Sequence, residues 1–352
     1  MPDWLQTLPP VLLAVILVAL FALGVFFLVR FSDIFVDAAC AVANKLKVSP
    51  LVIGLTVVAF GTSCPELAVS VSDSVSTLIE GGNANVAIGN VVGSNICNLL
   101  VVLGCSAIFT PILVQKPIIR KQYPVMIGVT VLLVLFGLFF GIGSTTGNYA
   151  ITRAEGVVLL LCGIAYVAFL VLDAKRHPEE QEDPELLSDK VRNMSTGRAI
   201  LFIFVGLVGI VLGGEAVVFS AKNLAYEIGD AAQLNHDLVE SLVGLTIVAV
   251  GTSLPELVTS VIAAKKKQNE IALGNVIGSN VFNALYVLGF AGIVNPLTTG
   301  DQIVVDLFVM LGATLLVYLI ALRGKIRRWH GALLLLCYAG YLAYLIARTI
   351  VG

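Results

Sequence analysis

Long apolar runs separated by short polar segments set the pattern of this chain. Ten of them have the length of a bilayer crossing, at about 8–29, 49–79, 84–108, 123–142 and 153–172, then 199–219, 239–264, 270–292, 303–322 and 330–348. About 20 apolar residues in a helix span the hydrocarbon core. Only helices or closed barrels satisfy their backbone groups there. The pattern therefore predicts an all-α integral membrane protein of ten transmembrane helices. The first run has no basic residue before it and no small-residue cleavage pattern after it, so it reads as a retained helix. One clearly polar segment, 173–198, carries Glu179, Glu180, Glu182, Asp183 and Glu185 with Pro178 and Pro184. It reads as a solvated acidic linker, too short for a domain of its own. It divides the chain into 1–172, 173–198 and 199–352.

Charge adds an orientation. Of the 352 residues only 12% are charged, and the net charge of −2 gives no footprint for nucleic acid. With the N-terminus outside and the spans alternating, 18 of the 21 basic residues fall on the inner side. Only Arg153, Lys222 and Arg348 stay outside. Such a bias predicts a cytoplasmic linker, external termini and a multi-pass place in the cytoplasmic membrane. The six cysteines lack zinc-ligand spacing and mostly sit in apolar runs. The three histidines lie in loops or at span ends.

The chain also repeats itself. Residues 54–67 read GLTVVAFGTSCPEL and 244–257 read GLTIVAVGTSLPEL; 89–98 read GNVVGSNICN and 274–283 read GNVIGSNVFN. These motif regions, 51–111 and 241–296, lie on spans two and three, then seven and eight. An odd number of spans, five, separates them, so the two five-helix halves are expected to be inverted in the membrane. Inverted repeats with matching Gly/Pro-interrupted segments point to a site near the midplane, where the repeats meet.

The doubled motif carries the chemistry. Pro65 and Pro255 have no N–H, so each breaks its helix and frees a carbonyl. Thr62 and Ser63 share a helix face with Glu66, as Thr252 and Ser253 do with Glu256. The second motif places Ser94 and Asn98 four apart, and likewise Ser279 and Asn283. Two carboxylates, hydroxyls, amide oxygens and freed carbonyls form a hard-oxygen set suited to calcium or sodium. No His or Cys pairing suits zinc or copper. Two buried glutamates neutralise one divalent cation, which offsets the cost of placing them in a membrane. Asp73 reads equally as lining the outer approach or as sitting near the interface. Asp33, Asp37 and Glu215 read as solvated span ends.

At these residues the chain resembles the calcium/cation antiporter superfamily, in particular the prokaryotic sodium/calcium exchangers. The resemblance implies a core of spans two, three, seven and eight, across which spans one and six slide or tilt. It implies Glu66 and Glu256 as central carboxylates, with Thr62, Ser63, Thr252, Ser253, Ser94, Asn98 and Ser279 as further ligands. Ala59 and Ala249 would offer backbone carbonyls. Many such exchangers carry an aspartate where this chain has Asn283, so the resemblance leaves the sodium stoichiometry open. The expected function is secondary active exchange of calcium for sodium by alternating access. The rivals are calcium or other divalent cation/proton antiport and, further off, a passive cation channel. Calcium and sodium ions and the lipid bilayer are the expected partners. No enzyme chemistry, cofactor or obligate protein partner is indicated.

Overall fold

A computed structural model describes residues 9–80, 85–140, 149–176, 189–232, 249–299 and 301–351. The main helices are α1 (Val11–Leu46), α2 (Pro50–Thr62), α3 (Cys64–Glu80), α4 (Val86–Phe109), α5 (Ile118–Leu138) and α6 (Arg153–Arg176). After the linker come α7 (Thr196–Gly229), α8 (Leu254–Lys265), α9 (Asn269–Val294), α10 (Ile303–Ala321) and α11 (Arg328–Arg348). Among the described residues eight helices are long and apolar enough to cross a membrane, and the bent pair α2–α3 adds a ninth. The expected seventh span is described only from Ala249 onward. Its first part, 239–248, lies outside the described residues, as do residues 177–188 of the acidic linker.

Two departures from the expected boundaries have one cause. α1 runs to Leu46 and α7 to Gly229, well beyond the apolar runs that end near Val29 and Phe219. Polar residues end a hydropathy window without ending a helix. In α1 they find partners on the core: Ser32 Oγ lies 3.2 Å from Thr259 Oγ. Lys266 Nζ lies 2.7 Å from Asp33 Oδ1 and also pairs with Asp37. The reading of Asp33 and Asp37 as solvated ends is thus corrected. They tie α1 to the end of α8. Glu215 lies inside α7 and is exposed.

Glycines set the closest approaches. A Cβ on Gly274 of α9 would stand 2.9 Å from the Gly54 Cα of α2, and one on Gly24 of α1 would stand 2.8 Å from the Gly213 oxygen of α7. Without a hydrophobic force between helices in lipid, such small-residue contacts supply the packing. α1 and α7 pack along each other. Between this pair and the core a cavity of about 480 Å³ is lined by Phe35, Phe60, Leu207, Phe282 and Tyr286.

Two short antiparallel ribbons tie distant loops together. β1 (Ile112–Leu113) pairs with β4 (Lys325–Ile326), and β2 (Tyr149–Ile151) pairs with β3 (Leu297–Thr299). Each ribbon puts its two loops at the same end of the bundle. The chain must therefore cross an even number of times between them, as the ten-span pattern requires.

Candidate cation site

The site is built from a helix break and a widened turn, each present twice. α2 gives way to α3 at Ser63, with φ −88° and ψ 6°, and the axis bends by 47°. The same break precedes α8 at Ser253, with φ −87° and ψ 5°. Pro65 and Pro255 follow, in the first turn of the next helix, where a missing N–H costs least. In α4 and α9 the backbone widens to π-type turns over Asn98–Val102 and Asn283–Val287. Such turns are rare and often functional. In both, an asparagine opens the turn.

These four features bring most of the expected residues together. Glu66, Glu256, Thr62, Ser63, Asn98, Ser279 and Asn283 are fully buried, and Ser94 and Ser253 nearly so. The halves interlock. Ser63 of the first repeat donates to Glu256 Oε1 of the second at 3.0 Å, and Ser279 lies 3.5 Å from the same oxygen. Ser94 Oγ lies 3.3 Å from Thr252 Oγ1. The Thr62 hydroxyl lies 3.1 Å from the Val58 carbonyl and 3.0 Å from Asn275 Oδ1. The Ala59 carbonyl accepts the Ser63 N–H at 3.0 Å and lies 3.4 Å from the Thr62 hydroxyl. Ala249 opens the short turn Ala249–Gly251.

What the site leaves unpaired is the most informative feature. Among the described residues twelve buried side-chain atoms lack a hydrogen-bond partner, and seven of them belong to expected ligands. Six of those are oxygens: both of Glu66, Oε2 of Glu256, Oδ1 of Asn98 and of Asn283, and Oγ of Ser253. Unpaired buried acceptors are costly in an ordinary interior. Their concentration on the expected ligands fits a hard cation. No group of three His, Cys, Asp or Glu that could hold a metal occurs among the described residues. The negative charge of the site rests on two carboxylates.

Asn90 and Asn275 were missed as supports. Asn90 Nδ2 donates to the Glu66 carbonyl at 3.4 Å and to Ser70 Oγ at 3.0 Å. Asn275 Nδ2 donates to the Glu256 carbonyl at 3.3 Å and to Ser260 Oγ at 2.9 Å. Each fastens the turn that carries a glutamate to the next helix. The signal was present: both asparagines stand in the doubled GN-x-x-GSN motif. Asp73, read two ways from sequence, accepts the Ala87 N–H at 3.1 Å and so caps the start of α4.

Comparison with known proteins agrees with this geometry. The sodium/calcium exchanger protein family matches residues 16–172 and 198–347, and the chain belongs to that family. The sodium/calcium exchanger MaX1 of Methanosarcina acetivorans is 34% identical over 350 residues, covering 92% of this chain and 96% of its own. The inner membrane protein YrbG of Escherichia coli is 32% identical over 282 residues, covering 79% and 80%. The solved structure of the sodium-calcium exchanger NCX_Mj superposes with a TM-score of 0.75 at 33% identity, covering 94% of this chain and 99% of that one.

Proposed function

We propose that this protein exchanges sodium for calcium across the cytoplasmic membrane, at a midplane site between two inverted five-helix repeats. The observation that carries the reading is the set of six unpaired buried oxygens on the expected ligands, three of them on Glu66 and Glu256. Family membership and the NCX_Mj likeness support the pair of ions. The ten-span, two-repeat division is supported by the matched breaks at Ser63 and Ser253 and by the ribbon parity. The family match also falls into two blocks on either side of the linker.

With both glutamates ionised the site carries two negative charges, so one calcium or two sodium ions neutralise it. The ions compete for overlapping oxygens. A neutralised site crosses between inward and outward exposure at far lower electrostatic cost than a charged one, so exchange is favoured over leak. The cavity beside Phe35 and Phe282 gives the α1–α7 pair room to shift against the core.

The test is calcium uptake into reconstituted vesicles under imposed gradients. Uptake driven by internal sodium supports the reading. Uptake driven only by a proton gradient, or by no ion gradient, would replace it with proton antiport or a channel.

A further inference from the structure

Asn95 belongs to none of the expected ligands, yet it is 2% exposed and sits between the two repeats. Its Nδ2 donates to the Asn280 backbone carbonyl at 3.2 Å. A carbonyl can only accept, so this contact fixes which end of the Asn95 amide faces which way. Asn95 Oδ1 then faces Asn283, 3.2 Å from Asn283 Nδ2. An acceptor there demands a donor. Asn283 is accordingly turned so that its Nδ2 faces Asn95 and its Oδ1 is left buried and unpaired.

We propose that Asn95 is a positioning and specificity-determining residue, which presents the Asn283 oxygen to the cation and requires position 283 to be an uncharged donor. The proposal rests on the cation-site reading above. An aspartate at 283 would set a carboxylate oxygen against Asn95 Oδ1, two acceptors without a proton. Asn95 cannot turn over to help, because its oxygen would then face the Asn280 carbonyl. The other half lacks this device. Asn280, which occupies the place of Asn95 in the second repeat, spends its Nδ2 on the Val276 carbonyl at 2.8 Å. Asn98, the counterpart of Asn283, has neither amide atom paired. Asn95 therefore confines the site's negative charge to the two glutamates, and with it the number of sodium ions that balance one calcium.

The experiment is a double-mutant cycle read by calcium titration of the purified full-length protein, a readout independent of transport. The variants are Asn95→Ala, Asn95→Ser, Asn283→Asp and the pair Asn95→Ser with Asn283→Asp. A serine hydroxyl donates or accepts, directly or through a water, so it suits either partner. Asn95→Ala is expected to weaken calcium binding about tenfold, the worth of one buried hydrogen bond, and Asn95→Ser to restore most of it. Asn283→Asp is expected to weaken binding at least about tenfold alone and far less beside Asn95→Ser. Wild-type affinity in Asn95→Ala, or an equal cost of Asn283→Asp in both backgrounds, overturns the proposal. Should vesicles show no sodium-driven uptake while the cycle still couples, the exchange reading fails and the role of Asn95 stands.

Discussion

Two carboxylates buried to the last square ångström, in a membrane and without a cationic side chain against them, need a reason. Among the described residues the ion pairs include Arg30 with Asp33, Lys121 with Asp173, Lys266 with Asp33 and Asp37, and Arg348 with Asp306. None reaches Glu66 or Glu256. A buried charge left uncompensated costs several kcal/mol, which fits a site that binds a cation. The glutamates were legible in the sequence because each sits in the same eight-residue setting, repeated in the same order. Asn90, Asn275 and Asn95 were printed in the same motifs, but their work was not legible. Their partners lie in other helices, and Asn95 and Asn283 are 188 residues apart. Which faces meet depends on helix rotation, and no spacing within one helix states it. Thr62 shows the converse. It stands on the face of Glu66 by spacing, and its hydroxyl also reaches back to its own helix, as threonines in membrane helices commonly do, and across to Asn275.

At the scale of elements, the breaks and close contacts matter more than the apolar runs. The Pro-Glu steps at 65–66 and 255–256 announced the breaks. The widened turns at Asn98 and Asn283 had no signal in the sequence, because a π-type turn adds one residue to a helix without changing its composition. The contact of α2 with α9 through Gly54 and Gly274 holds Ser63 and Ser279 within reach of the same glutamate oxygen. A methyl at Gly274 meets backbone, which cannot rotate away. Gly274→Ala is therefore expected to cost about 1–3 kcal/mol by overpacking and to weaken calcium binding by moving α9. Gly128→Ala is the control: nothing lies within 4 Å of its added Cβ, and alanine favours the helix by up to ~1 kcal/mol. Thermal unfolding and calcium titration of both variants check this. A Gly274→Ala protein with wild-type melting and affinity would show that α2 and α9 can separate freely.

The whole molecule was the most legible level. Hydropathy, the basic bias and the offset repeat together gave the helical membrane fold, and the missed extensions of α1 and α7 left the order of spans unchanged. The ribbons add what sequence could not, since two- and three-residue strands carry no periodicity. They join loops at each end in the way an inverted ten-span chain requires. The expected orientation rests on the 18-to-3 division of basic residues. In a variant with the six native cysteines replaced, a cysteine at Asp3 is expected to react with a membrane-impermeant label applied outside, and one at Glu182 is not. The reverse pattern would invert the molecule. Binding at the paired glutamates is the claim on which everything else depends. Equilibrium binding of radioactive calcium to the purified protein, with sodium as competitor, measures it most directly. Wild type is expected to bind one calcium per chain, displaced by sodium, and Glu66→Gln and Glu256→Gln are each expected to bind it more than about 100-fold more weakly while remaining folded. Calcium bound with wild-type affinity by either variant, or indifferent to sodium, would contradict a shared two-carboxylate site.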